Sequence, residues 1–225
     1  MKKLFICLVL FGVCSSSFAF LTQSNWRWRN NNGSETSATW KAAQNAPISY
    51  SAVSEVIRLR LEIYNTNSDP TAVEDSLQYS TTPTVASSWK NILADDQTRA
   101  FVMAGAGSTV AQNTPTTTQI TGNSYVFVPG KVMADSTVAK LITIPSSNRT
   151  EFEWAIRGTA QTLPNTTYYF RQWGASANGL PPGVTYPSLT TAIALPITLS
   201  NFSLGKEGSK VKLEWSTASE ENNDR

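Results

Sequence analysis

Apolar and polar residues alternate one by one along two stretches of the chain, EVIRLRLEIYN at residues 55–65 and EFEWAIR at residues 151–157. Successive side chains of a β-strand point to opposite faces, so each stretch predicts a strand with one apolar and one polar face. In the second stretch Glu151 and Glu153 fall on the polar face. We expect that face to be solvated, because charged side chains usually stay in water.

Shorter stretches of the same kind predict further strands, and segments rich in Pro, Gly and Asn separate them. No stretch after residue 19 keeps a helical period over three turns. Only 15% of the residues are charged, whereas surface helices usually carry many charged side chains. We therefore predict an all-β fold, an antiparallel β-sandwich of the immunoglobulin or fibronectin type over residues 20–193. The further strands are predicted at residues 74–80, 87–92, 100–104, 125–132, 139–144 and 167–173.

Residues 1–19 have the pattern of a secretory signal peptide. Two lysines precede an apolar run at residues 4–13, and small residues follow up to Ala19. The run is too short to span a bilayer, so we predict cleavage after Ala19. The mature chain is then expected to be secreted, extracellular or held at the outer cell surface. A lipid anchor on Cys14 is an alternative, although Val13 stands where such sites want a small residue.

Removal of the signal peptide changes the chemical inventory of the chain. Both cysteines lie within it and the chain has no histidine, so the usual zinc and thiolate ligands are missing. The 18 basic residues fall by two lysines to 16, which balances the 16 acidic residues. A neutral chain gives no electrostatic reason to expect nucleic acid or an anionic membrane as partner. No second apolar run predicts a transmembrane segment in the mature chain.

Candidate catalytic residues are few, and we predict that the protein is not an enzyme. Without His or Cys, a Ser or Thr nucleophile would need a lysine as its base, and no Gly-x-Ser-x-Gly motif occurs. Glu151 and Glu153 are two apart on one strand and would lie about 7 Å from each other. That separation falls between the windows of retaining and inverting glycosidases, so a glycan-processing enzyme stays an alternative.

The stretch NWRWR at residues 25–29 raises the question of a ligand-binding platform. On a strand, both tryptophans share one face and both arginines share the other. Sugar rings stack on exposed indoles, and an arginine beside an indole makes a cation–π contact. The competing interpretation places these indoles in the core and pairs the arginines with carboxylates such as Glu62. The candidate platform comprises Trp26, Trp28, Trp40, Trp89 and Trp173.

A calcium ion is the one cofactor that the residue pattern suggests. The loop NTNSDP and the residues after it carry several side-chain oxygens at close spacing, and calcium takes about six to eight oxygen ligands. Pro70 stands where an EF-hand would have glycine, and loops of this composition often only make turns. The candidate calcium ligands are Asn65, Asn67, Asp69, Glu74 and Asp75.

The carboxy-terminal part, residues 194–225, predicts a linker followed by a hairpin with a Gly-containing turn. Its motifs LPITL (195–199), VKLEW (211–215) and TASEENN (217–223) resemble the start of a fibronectin type III-like module of secreted Bacteroidetes proteins. The resemblance implies a truncated second domain of a protein whose sorting domain is recognised by the type IX secretion machinery. Because two strands rarely form a stable sheet alone, we expect Trp215 to be substantially exposed.

The first domain resembles a bacterial extracellular β-domain through the motifs WRNNNGSETSATW (28–40), RLR (58–60) and TYYFR (167–171). The resemblance implies a secreted multidomain surface protein and carries no known catalytic residues. In addition, Ser76 and Ser136 lie in Asp-Ser-x triplets, which resemble the sites at which Bacteroidetes glycosylate exported proteins.

These observations support one principal functional hypothesis and two alternatives. The principal hypothesis is a non-catalytic extracellular β-sandwich module that acts in adhesion, in binding or as a structural spacer. The first alternative is a carbohydrate-binding module that uses exposed tryptophans, and the second is the glycan-processing enzyme. The expected partners are glycans or other surface proteins.

Overall fold

The computed structural model describes residues 21–51, 54–122, 124–135, 142–179, 185–192 and 198–219. The predicted signal peptide, its cysteines and the motif serine Ser136 lie outside these residues. Within the described residues regular structure is almost entirely β, with two single 3₁₀ turns at Ala86–Ser88 and Gly105–Gly107. In chain order the strands are β1 (Leu21–Asn30), β2 (Ile48–Tyr50), β3 (Val56–Asn65), β4 (Thr71–Ala72), β5 (Asp75–Ser80), β6 (Lys90–Asn91), β7 (Phe101–Met103), β8 (Val126–Phe127), β9 (Val132–Met133), β10 (Thr143–Ile144), β11 (Asn148–Gly158), β12 (Thr167–Gly174), β13 (Ala177–Gly179), β14 (Ser188–Thr191), β15 (Thr198–Glu207) and β16 (Lys210–Ser219).

Two sheets form the body of the fold. The seven-stranded sheet has the order β13-β1-β3-β11-β7, and β8 and β9 also pair with β11. The five-stranded sheet has the order β2-β14-β12-β5-β6. The long pairs are antiparallel, whereas β1–β13, β8–β11, β9–β11 and β2–β14 are short parallel pairs. This architecture confirms the prediction of an all-β, sandwich-like fold.

The hydrophobic core lies between these two sheets. Trp28 of β1 packs against Phe170 of β12 edge to face, with ring centroids 5.3 Å apart. Phe101 of β7 contacts Tyr168 and Phe170 in the same way. Because such side chains come from both sheets, their burial holds the sandwich together, at about 1.5–3 kcal/mol for each large apolar side chain. The apolar face predicted for residues 55–65 is part of this core, with Ile57, Leu59, Leu61 and Ile63 fully buried.

The prediction that the polar face of β11 is solvated is wrong, and the polar face of β3 is buried as well. Arg58, Arg60 and Glu62 of β3 are buried, and so are Glu151 and Glu153 of β11. The loops at residues 31–47 and 111–125 contribute backbone and side-chain partners to these side chains. The charged side chains of the two strands neutralise each other, and this pairing makes their burial possible.

Short strands were the elements that the residue pattern did not reveal. The short strands β2 and β14 went unpredicted because three or four residues show no clear alternation. The single strand predicted at 125–132 is two short strands, β8 and β9, on either side of Pro129, which has no backbone N–H for a ladder. Gly130 follows it, and a β-carbon there would lie 2.2 Å from the carbonyl oxygen of Glu151.

Strands β15 and β16 form a separate two-stranded hairpin. Its side chains at residues 201–206 and 208–216 are all exposed, and Trp215 is 65% exposed. The predicted exposure of Trp215 is thereby confirmed, while its membership of a fibronectin type III-like domain stays a prediction. Separately, the described residues include no helix with the length and apolar character needed to cross a bilayer.

Candidate functional site

The polar faces of β1, β3 and β11 hold a buried cluster of ions, which we call the arginine–glutamate cluster. Arg60 lies at its centre, with Nε 2.8 Å from Glu151, Nη1 2.7 Å from Glu153 and Nη2 2.7 Å from Glu35. A second pair joins Arg149 to Glu62 at 2.9 Å. Four arginines and four glutamates therefore balance in charge. The members are Arg29, Arg58, Arg60, Arg149, Glu35, Glu62, Glu151 and Glu153.

The loop at residues 111–125 closes over this cluster. The backbone N–H groups of Gln119 and Ile120 each donate to Glu151 Oε1 at 3.1 Å. A β-carbon on Gly122 would lie 1.6 Å from Glu62 Oε2, so only glycine allows the loop to approach this closely. The carboxylates that looked like a catalytic pair in the sequence are thus enclosed by arginines and backbone. The hollows described below are lined by other residues.

Glu35 makes the stability of the cluster depend on pH. Burial by itself raises the pKa of Glu35, but the N–H of Thr117 and the guanidinium of Arg60 outweigh it and hold the pKa below its ordinary value. A carboxyl group with a lowered pKa stabilises the fold above its unfolded pKa, about 4.3 for Glu, and this stabilisation is lost as the pH falls through the folded pKa. We therefore expect the free energy of unfolding to fall below about pH 4.3, and Glu35→Gln to make that fall less steep. Urea unfolding at a series of pH values measures both slopes, and identical slopes would contradict the assignment.

The tryptophans of the candidate platform separate into two groups. Trp26 and Trp28 are buried in the sandwich core, 1% and 0% exposed, which matches the competing interpretation of the opening stretch. Their indole N–H groups donate to the carbonyls of Thr185 and Ser188. A sugar ring therefore has no open indole face at these two positions. Trp40, Trp89 and Trp173 are partly exposed.

Trp40 lies over the arginine–glutamate cluster. The guanidinium carbons of Arg27 and Arg29 are each 4.5 Å from the centroid of its ring. The cation–π contact expected for these arginines is therefore present, but its ring is Trp40 and not a neighbouring tryptophan of β1. Trp40 serves here as a cover for charged groups, which leaves it poorly placed for stacking on a sugar.

The outer surface of the five-stranded sheet carries a second aromatic arrangement, which we call the Trp–Arg–Trp face: Trp89, Arg171, Trp173 and Tyr186. The guanidinium carbon of Arg171 lies 4.2 Å from the ring centroid of Trp89 and 3.7 Å from that of Trp173. Trp89 also contacts Tyr186, with centroids 4.9 Å apart. All four side chains are partly exposed.

Strand alternation explains how β12 builds this face. Tyr168 and Phe170 point into the core, so Tyr169, Arg171 and Trp173 point outward. Pairing of β12 with β5 places Arg171 opposite Gln78, and Arg171 Nε donates to Gln78 Oε1 at 2.8 Å. The stretch TYYFRQW contains this alternation, so Arg171 and Tyr169 could have been added to the platform from the sequence.

A hollow of about 450 Å³ adjoins the Trp–Arg–Trp face through Tyr186. Its volume lies within the range of small-ligand sites, roughly 300–1,000 Å³. Its walls are mostly apolar, with a few hydroxyl and amide groups that can accept or donate hydrogen bonds. The lining residues are Trp26, Asn45, Pro47, Tyr169, Thr185, Tyr186 and Ser188.

A smaller hollow of about 270 Å³ lies at the other side of β12 and is lined mainly by hydroxyl side chains. Its tyrosines are engaged by the fold, since the hydroxyl of Tyr79 accepts from the N–H of Ala100 and that of Tyr168 from the N–H of Leu163. It includes no carboxylate among its lining residues. We regard the larger hollow as the better candidate, because partly exposed aromatic rings adjoin it.

The structure gives no support to the calcium hypothesis. The side-chain oxygen of Asn65 accepts from the backbone and side-chain N–H groups of Asn67, which is the turn that the alternative interpretation expects. Asp75 is buried and accepts from Gln172 and from the N–H of Ser176, while Asp69 and Glu74 are exposed. Among the residues described, no three His, Cys, Asp or Glu side chains are grouped to hold a metal ion.

Comparison of the chain with known protein families, with curated proteins and with solved structures returned no match. The function is therefore inferred from the geometry of the Trp–Arg–Trp face and its hollow.

Proposed function

We propose that this protein is a non-catalytic extracellular module that binds a saccharide on the Trp–Arg–Trp face and in the adjoining hollow. The observation that supports the proposal is the arrangement of Trp89, Trp173 and Tyr186, three partly exposed rings on one surface next to a hollow of about 450 Å³. Carbohydrate recognition needs aromatic rings for the apolar faces of a sugar and polar groups at its edges. This surface offers both kinds of group.

The setting of this face suits a module that holds a ligand without transforming it. Glu151 and Glu153, the candidate catalytic residues, are enclosed by arginines. The four residues of the Trp–Arg–Trp face include no carboxylate. General acid–base chemistry on a glycosidic bond needs two carboxyl groups beside the substrate. Binding is therefore the activity that the residues of this face favour.

The proposal includes export and adhesion. The pattern of residues 1–19 favours secretion, and the carboxy-terminal motifs resemble those of secreted Bacteroidetes surface proteins. In that setting the module would attach its protein to a glycan, on a cell surface or in the surrounding matrix. A pure spacer would have no need of three tryptophan and tyrosine rings gathered around one arginine.

The test is a tryptophan substitution with a matched control. We expect Trp173→Ala to weaken saccharide binding about tenfold or more, because a lost ring contact of about 1.4 kcal/mol changes the Kd tenfold. Trp215→Ala removes an exposed indole from the separate hairpin and should leave the Kd unchanged. Residues 20–225 would be screened on a glycan array, and hits measured by titration calorimetry.

Urea unfolding of both variants shows whether Trp173→Ala leaves the fold intact. Equal loss of binding in the two variants would contradict the proposed site. Absence of binding to every glycan by the folded wild-type protein would overturn the proposed function.

A further inference from the structure

Arg171 differs from the arginines of the arginine–glutamate cluster in its electrostatic partners. Every arginine of the arginine–glutamate cluster has a glutamate within about 3 Å. Across the described parts of the chain, Arg171 has no ion pair with a carboxylate, and its side-chain partners are the amide of Gln78 and the hydroxyl of Tyr186. The cation lies over the rings of Trp89 and Trp173 instead. Its charge is therefore left without a negative counterpart.

The environment makes this charge costly. Burial between the rings lowers the pKa of Arg171, and the neighbouring Tyr186 hydroxyl offsets only part of that lowering. An arginine nevertheless stays protonated at neutral pH. An anion that arrives beside the guanidinium would replace the hydration that the two indoles have removed, and partial desolvation would strengthen the new ion pair.

The stacking also decides from which direction an anion can approach. The guanidinium carbon lies over both indole rings, so an anion reaches the guanidinium from the side that the rings leave open. The N–H donors of a guanidinium lie in its plane and match two oxygens of a carboxylate or sulfate group. Because Nε donates to Gln78 and the Tyr186 hydroxyl takes part in a further hydrogen bond with the guanidinium, the remaining N–H groups of the terminal nitrogens supply the donors for such a pair.

We propose that the ligand of the Trp–Arg–Trp face is an acidic saccharide, whose carboxylate or sulfate group pairs with the edge of Arg171. The adjoining sugar ring would lie against Tyr186 and in the hollow of about 450 Å³. This inference rests on the proposed function and adds the charge of the ligand to it. An uncharged glycan would leave the arginine unpaired, which is the property that makes the site selective.

The experiment uses pairs of saccharides that differ only in charge. Oligogalacturonate and its methyl ester test a carboxylate group, and dextran sulfate and dextran test a sulfate group. Further uronate and sulfated oligosaccharides from the array are each compared with a neutral form. For at least one pair we expect the acidic form to bind about tenfold or more tightly than the neutral form, with the difference shrinking as salt rises. The pair that shows tighter binding of its acidic form identifies the anionic group, carboxylate or sulfate.

Two arginine variants distinguish a specific ion pair with Arg171 from electrostatic attraction by the net charge of the protein. Arg171→Gln should remove the preference for the acidic form and bring its Kd to that of the neutral form. Arg157→Gln changes the net charge by the same amount on the seven-stranded sheet and should keep the preference. Thermal unfolding of both variants confirms that they are folded.

Three results would overturn the inference. A saccharide that binds equally well in neutral and acidic form would overturn the inference but leave the proposed function intact. Poly-glutamate that binds as tightly as the acidic saccharide would show a site for acidic peptides. Failure of the folded protein to bind any saccharide, acidic or neutral, would remove the inference together with the proposed function.

Discussion

Replacement of Glu153 by glutamine is expected to lower the free energy of unfolding by about 3–5 kcal/mol. Glu153 is fully buried and lies 3.1 Å from Arg29, 2.8 Å from Arg58 and 2.7 Å from Arg60. Its loss leaves four arginines against three glutamates in a region closed to water. Glutamine has almost the same shape, so the expected effect comes from the uncompensated charge and not from a cavity.

Urea unfolding followed by tryptophan fluorescence measures this change. The matched control is Glu214→Gln on the hairpin, where Glu214 pairs with Lys212 at 2.6 Å but both side chains are more than half exposed. An exposed pair contributes about 0–1 kcal/mol, so the control should change stability little. A loss below about 1 kcal/mol for Glu153→Gln would show that the cluster is hydrated in solution.

Trp28→Ala is expected to lower the free energy of unfolding by about 3–5 kcal/mol. Trp28 is 0% exposed, packs against Phe170 at 5.3 Å, and donates from its indole N–H to the carbonyl of Ser188 at 2.9 Å. Truncation therefore opens a cavity between the two sheets and leaves a partly buried carbonyl without its donor. Both effects reduce stability in the same direction.

The matched control is Trp215→Ala, which removes an indole that is 65% exposed. Surface substitutions usually change stability by less than about 0.5 kcal/mol. The same unfolding experiment compares the two variants. If Trp28→Ala unfolds like the wild type and loses saccharide binding instead, the indole is a binding residue and the assignment of Trp28 to the core is wrong.

The positions of β3, β11 and β12 and the two faces of these strands followed from the residues alone. The alternation in residues 55–65 and 151–157 depends only on backbone geometry, which points successive side chains in opposite directions. For the same reason Trp26 and Trp28 share one face of β1, opposite Arg27 and Arg29. Short strands such as β2 and β14 escaped prediction, since their pairing partners and not their own sequence make them strands.

What covers each face was decided by the tertiary structure. Local sequence could not reveal that the loops at residues 31–47 and 111–125 fold back over the charged sides of β3 and β11. The expectation of a solvated Glu151 and Glu153 failed for that reason. Burial of those charges depends on partners far along the chain, such as Arg60, which pairs with Glu151 across a separation of 91 residues.

The residues of the candidate site were likewise only partly predictable from the sequence. The sequence named Trp89 and Trp173 as platform residues, but it placed them in one set with the buried Trp26 and Trp28. Pairing of β12 with β5, and of β5 with β6, gathers the outward side chains of distant segments on one surface. Arg171 meets both indoles only there. A sequence determines which side of its strand a residue occupies, whereas exposure and neighbours depend on long-range packing, because those contacts form between segments far apart in the chain.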